Sequence, residues 1–123
     1  MAKRRMFSSD ITSSDAFQDM PLSAQALYFH LGMNADDDGV VNSPKAVQRS
    51  LGASQDDLRL LVAKRFIIPI AESEIVVIKH WKINNLIQKD RYTPSKYKRE
   101  LELLELDENK AYKEKVPSLI DTL

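Results

Sequence analysis

A chain of 123 residues with 43% hydrophobic and 29% charged side chains can bury one core and is too short for two ordinary domains. No apolar run approaches the roughly 20 residues that cross a bilayer, and no apolar stretch follows Lys3-Arg4-Arg5 to make a secretory signal. The absence of cysteine excludes disulfides and thiolate zinc sites, so a cytoplasmic protein with no membrane contact is expected.

In chain order, the first nine residues read as an arm carrying Lys3, Arg4 and Arg5. Residues 14–20 suggest one or two helical turns, capped by Ser13 or Ser14 and stopped before Pro21. A stronger helix is predicted from Leu22 to Met33, where apolar residues recur at three- and four-residue spacings. Asn34 to Gly39 is a turn with Gly39 at positive φ, and Val40-Val41 is a short extended piece. Ser43-Pro44 opens a helix that Gly52 closes, and Ser54 with Asp57 imitates a capping box for a helix running to about Arg65.

Two β-branched runs, Phe66 to Ile70 and Ile75 to Lys79, flank Ala71-Glu72-Ser73-Glu74 and predict a hairpin. Pro69 has no N–H to donate, so its strand should be an edge or bent there. His80 to Ile87 suggests a strand exit and a helical segment; Trp81, between cations, either stacks on an unpaired base or, the commoner outcome, packs in the core. Thr93-Pro94 opens a last helix, about Ser95 to Leu106, with Tyr97, Leu101 and Leu104 on one stripe. Beyond Asp107 the chain turns polar and little order is expected. This order predicts a mainly α domain over residues 1–106 with a small β-hairpin: a winged helix-turn-helix with an extra C-terminal helix. Residues 107–123 would be an acidic tail, or the start of a linker to a further domain.

The formal net charge is zero, but its distribution is uneven. Residues 1–66 balance, residues 67–99 carry plus four and residues 100–123 carry minus four. In DNA-binding helix-turn-helix pairs the second helix enters the major groove and the first crosses the backbone. On that geometry Gln55 would read an adenine edge and Arg59 a guanine edge. Lys45 and Arg49 would sit against phosphates. Lys79 and Lys82 stand at the end of the hairpin, and Lys3, Arg4 and Arg5 would reach a neighbouring groove. An ordinary helical hairpin with a solvated outer face fits the same pattern. Asp56 and Asp57 favour that alternative, since they repel phosphate and suit the positive end of a helix; so does the acidic hairpin tip, Glu72 and Glu74.

Several strings resemble a known family. Asp15 to Leu31, Ala35 to Val41, Lys64 to Pro69, Val76 to Asn85 and Lys89 to Tyr92 are similar, in that order, to the N-terminal domains of phage replisome organisers. The resemblance covers roughly residues 3–106. It implies a winged-helix fold related to DnaD-type primosomal proteins, in a bacterial host cell or prophage-encoded. It also implies binding of double-stranded origin DNA, and recruitment of the replicative helicase or its loader. Self-association into a homo-oligomer is a further implication, and full-length members usually carry another C-terminal domain.

Other chemistry is weakly supported. Asn34-x-Asp36-x-Asp38-Gly39 begins like a calcium loop, but Lys45 falls where the bidentate glutamate belongs. His30 and His80 are the only histidines, and neither sits in a metal or nucleophile motif. No enzyme, cofactor or metal is expected. Lys89, Arg91, Tyr92, Lys96, Lys98 and Arg99 either extend a DNA track or form a solvated face. The rival to DNA binding is a protein-interaction and oligomerisation module of the replication complex, with little DNA affinity of its own.

Overall fold

Serine side chains open the first two helical turns in the computed structural model, which describes residues 3–70 and 73–115. Ser8 accepts from the Asp10 N–H to start α1 (Ser9–Thr12), and Ser14 accepts from the Phe17 N–H to start α2 (Asp15–Gln18). Each satisfies an amide donor that a helix start leaves free. Helix α3 (Leu22–Met33) buries Ala24, Leu27, Tyr28 and Leu31 completely, at three- and four-residue spacings along one face. Phe7, Phe17, Phe29 and Phe66 pack around Tyr28 with tilted or edge-on rings, the arrangement their quadrupoles favour.

After α3 the Asp36 carboxylate accepts the N–H groups of Asp38 and Val40, and Gly39 takes φ 88°. This turn delivers β1 (Val40–Val41). Helix α4 (Pro44–Leu51) has proline at its start and closes at Gly52, φ 78°. Helix α5 (Gln55–Ala63) opens with a complete capping box: the Ser54 hydroxyl accepts from the Asp57 N–H, and the Asp57 carboxylate accepts from the Ser54 N–H. Strands β2 (Ile67–Pro69) and β3 (Val76–Ile78) form the hairpin, whose Glu72 lies outside the described residues.

The sheet order is β1-β3-β2, antiparallel throughout, with Val77 of β3 opposite both Val40 and Ile68. Strand β3 is therefore central and wholly buried, and Pro69 stands on an edge strand where its missing N–H interrupts no outer ladder. Helix α6 (Trp81–Asn84) follows, then α7 (Lys98–Leu101) and a second sheet of β4 (Leu104–Leu106) and β5 (Tyr112–Glu114).

The expected mainly α winged helix-turn-helix with one hairpin and an extra C-terminal helix is thus corrected. Among the described residues the chain is a small α/β fold with seven helices, several of a single turn, and antiparallel sheets of three and two strands. Val40 and Val41, expected as a short extended piece, pair with β3 and make the sheet three-stranded. The helix expected over residues 95–106 shrinks to α7. The Ser95 N–H is taken by the Asp38 carboxylate at 2.8 Å, and Leu104 to Leu106 pair with β5 instead. Alternating Leu-Glu-Leu suits a strand as well as a helix turn, and tertiary pairing decides between them.

The chain also continues in order past Asp107. The Asp107 carboxylate accepts the N–H groups of Asn109 and Ala111, and Lys110 adopts φ 66° to close the turn. Tyr112 then donates its N–H to Lys79 O and its hydroxyl to Asp38 O. Residues 116–123 of the expected tail lie outside the described residues. Among the described residues no helix is long and apolar enough to cross a membrane.

Candidate nucleic-acid interface

Helix α4 turns Pro44 and Gln48 inward and leaves Lys45 and Arg49 exposed, while α5 turns Asp57 and Leu61 inward and exposes Gln55, Asp56 and Arg59. The two helices pack on each other across Gly52-Ala53, where the Gln48 amide donates to Ala53 O. Lys45, Arg49, Gln55 and Arg59 thus belong to one helical pair, all open to solvent. Arg59 is partly occupied: its guanidinium lies 3.1 Å from Asp56 and 3.5 Å from the Gln55 amide oxygen. Both partners of that ion pair are largely exposed, so it contributes at most about 1 kcal/mol and opens readily.

Two expected DNA contacts are removed. Arg5 is no part of a flexible arm: its guanidinium donates to Asp37 at 3.1 Å and to Ala35 O at 2.7 Å, and lies 5.2 Å from the Trp81 ring. Its side chain is 2% exposed, too buried to meet a phosphate. The backbone after it is held as well, with the Met6 N–H on the Asn85 side-chain oxygen and the Ser8 N–H on that of Asn84. Lys3 and Arg4 remain exposed on this fastened segment. Lys82 is committed to Asp38, 3.0 Å away, and lies over the Tyr92 ring. Lys79 is half-buried at the exit of β3, its backbone bonded to Phe66 and Tyr112.

What the sequence conceals is the destination of the Asp36-Asp37-Asp38 turn. Asp37 receives Arg5 and the Thr93 N–H, while its carbonyl accepts the Trp81 indole N–H. Asp38 accepts Lys82, the Tyr92 hydroxyl and the Ser95 N–H. Burial pushes the Asp38 carboxyl up, but the bonds from Ser95, Lys82 and Tyr92 outweigh it and hold the group below its ordinary value. The Tyr92 phenol is pushed up to about 12 by burial and by the Asp38 carboxylate. These aspartates tie the N-terminal segment, β1, α6 and the loop before α7 into one polar knot. The legible hint was a run of three acids beside a buried strand, which requires cations or N–H donors close by.

Among the described residues no group of three or more histidine, aspartate or glutamate side chains is placed to hold a metal ion. No protein-family model matches the chain, and comparison with curated proteins and with solved structures gave no match.

Proposed function

We propose that this chain is a non-enzymatic module of a phage-type DNA-replication initiation protein. It acts in the cytoplasm of a bacterial host, binding duplex origin DNA and helping to assemble the helicase-loading complex. The observation that carries this reading is the α4–α5 pair, on which Lys45, Arg49, Gln55 and Arg59 are exposed together. Lys45 and Arg49 supply phosphate contacts, and Gln55 and Arg59 supply base contacts once Arg59 leaves Asp56. The ordered resemblance to replisome-organiser N-terminal domains supports the replication context.

The test is fluorescence anisotropy with a labelled duplex carrying phage origin sequence and a scrambled duplex, at two salt concentrations. Binding should weaken steeply with salt, by a log–log slope of about 0.9 for each phosphate neutralised. Arg59→Ala should erode the preference for origin sequence, whereas Lys45→Ala and Arg49→Ala should weaken both duplexes alike. Absence of duplex binding at low salt ends this reading.

A second reading, a protein-interaction and oligomerisation module, is favoured by Asp56, which stands exposed in the first turn of α5. Under that reading light scattering detects a stable dimer or larger species and DNA affinity is negligible.

A further inference from the structure

Between α6 and α7 the chain runs from Asn85 to Tyr97 without a helix or strand. A connection this long is uncommon in a small domain unless it serves a function. It is also held in place. The Tyr92 hydroxyl is 2.8 Å from each Asp38 oxygen, the Thr93 N–H is 3.0 Å from Asp37, and the Ser95 N–H is 2.8 Å from Asp38. The buried aspartates thus fix the loop by its backbone and the Tyr92 hydroxyl and do not take up its cations, of which Lys96 lies over the Tyr97 ring.

Those cations are numerous. Lys89, Arg91, Lys96, Lys98 and Arg99 are all exposed, and Asp90 is the single acid among residues 88–99. Among the described residues none of the five meets a carboxylate at ion-pair distance. A solvated helix would have paired Lys98 and Arg99 with Glu102 and Glu105, but α7 ends at Leu101 and Glu105 is paired with Lys113 instead.

The loop also carries flat and apolar surface. Tyr92 is partly exposed and forms part of the wall of two hollows, of about 270 and 330 Å³. The first is also lined by Trp81, Leu86, Leu106, Lys82, Lys110 and the acid Asp37, and by Asn85, whose Nδ2 is buried without a hydrogen-bond partner among the described residues. Leu86 is 87% exposed, an apolar side chain that folding leaves uncovered. The second hollow includes Pro94, Lys98 and Leu101, together with the carboxylates of Asp38 and Glu102.

Cations around an aromatic ring and shallow apolar hollows are what an unpaired strand requires, because its bases offer flat faces that a duplex hides. We infer that the loop from Asn85 to Arg99 binds single-stranded nucleic acid. Lys89, Arg91 and Lys98 take phosphates, while bases lie against Tyr92 and Leu86. This surface is separate in sequence from the α4–α5 pair and does not depend on that pair binding duplex.

The test uses the full chain and two probes in anisotropy: a labelled oligothymidylate of about 20 nucleotides, and a duplex of the same length. The double variant Lys89→Glu/Arg91→Glu should weaken oligothymidylate binding at least about tenfold at low salt, and reduce its salt slope by about 1.4, two phosphates' worth. Its duplex affinity should stay within about threefold, whereas Lys45→Glu/Arg49→Glu should show the reverse pattern. Tyr92→Phe keeps the ring but loses the hydroxyl on Asp38, and should retain clearly more single-strand binding than Tyr92→Leu, which should lose most of it. Circular dichroism confirms that each variant is folded, and the two charge reversals decide the matter if Tyr92→Leu is not. The inference is overturned if oligothymidylate does not bind at low salt, or if Lys89→Glu/Arg91→Glu binds it like the parent. Equal loss of single strand and duplex also overturns it, by making the loop a general phosphate contact. So does a change in sedimentation without oligothymidylate binding, which assigns the surface to a protein partner.

Discussion

The Arg5 guanidinium lies 3.1 Å from the Asp37 carboxylate, with the two side chains 2% and 0% exposed. The pair bridges 32 residues of sequence and fastens the N-terminal segment to the turn before β1. A carboxylate so fully withdrawn from water is tolerated because its charge and lone pairs are met. Arg5→Ala removes this guanidinium and leaves the buried Asp37 in place, so it should lower stability by up to about 3–5 kcal/mol. Arg4→Ala, one residue away and exposed, should change stability by less than about 0.5 kcal/mol. Urea unfolding followed by circular dichroism compares them. Equal midpoints for the two variants would show that the Arg5–Asp37 contact does not hold the fold.

Three groups with lowered values, Asp38, Asp107 and His80, make stability fall on acidification, all in the same direction. The Asp38 carboxyl is held below its ordinary 3.8: burial raises it, and the bonds from Ser95, Lys82 and Tyr92 lower it further. His80 is held below its ordinary 6.5, first by burial and then by the charge of Lys79. Its Nδ1 is buried with no hydrogen-bond partner among the described residues, so a proton gained there finds no acceptor among them. In each case the folded chain binds its proton less readily than the unfolded one. The His80 contribution is therefore complete above about 6.5 and lost as pH falls through its lower folded value; the Asp38 and Asp107 contributions are complete above about 4 and lost below. Thermal melts should be flat from neutrality to about pH 9, below the range where the tyrosines with raised values ionise in the unfolded chain, and fall in two stages on acidification. His80→Gln should abolish the first stage and keep the second; an unchanged first stage would assign it to another group.

What could be read from sequence here was local. Ser54 with Asp57, Gly52, Gly39 and the edge position of Pro69 each follow from chemistry within a few residues of the feature they set. Trp81, an aromatic among cations, took the commoner of its two expected places, the core. What could not be read was long-range. Lys82 and Tyr92 reach Asp38 across 44 and 54 residues, and nothing in local periodicity announces such pairs. Counted as surface charge, Arg5 and Lys82 looked like DNA contacts; their carboxylate partners looked like a solvated turn. Leu104 to Leu106 failed differently, because an apolar-acidic-apolar triplet fits a helix stripe and a strand equally, and β5, the partner that decided it, was itself hidden in a polar run.

The glycines offer a test that separates backbone strain from collision. Gly39 and Gly52 both have positive φ, 88° and 78°, a conformation that costs an alanine about 1–2 kcal/mol. A Cβ at Gly52 meets nothing within 4 Å among the described residues, so Gly52→Ala should cost only that amount. A Cβ at Gly39 would lie 2.5 Å from Trp81 Cγ, and Trp81 is fixed by its indole bond to Asp37 O. Gly39→Ala should therefore cost about 1–3 kcal/mol more, the usual penalty of overpacking, and should alter the near-ultraviolet signal of the single tryptophan. Equal costs at the two positions would mean that Trp81 yields freely.

The adjacent aspartates of α5 should separate stability from DNA affinity. Asp57 is buried, accepts the Ser54 N–H and also receives the Ser23 hydroxyl at 2.9 Å. Asp57→Asn should cost about 1–2 kcal/mol through the weakened cap and leave duplex affinity nearly unchanged, because that side chain does not face solvent. Asp56 is exposed, and its carboxylate holds Arg59. Asp56→Asn should change stability by less than about 1 kcal/mol. It also removes a charge that repels phosphate and frees Arg59 for a base edge. Duplex binding at low salt should then tighten about threefold to tenfold, with a steeper dependence on salt. Anisotropy on the parent and both variants reads the outcome directly. If Asp56→Asn binds duplex no better than the parent, the exposed side of α5 does not approach DNA, and the proposal for the α4–α5 pair falls with it.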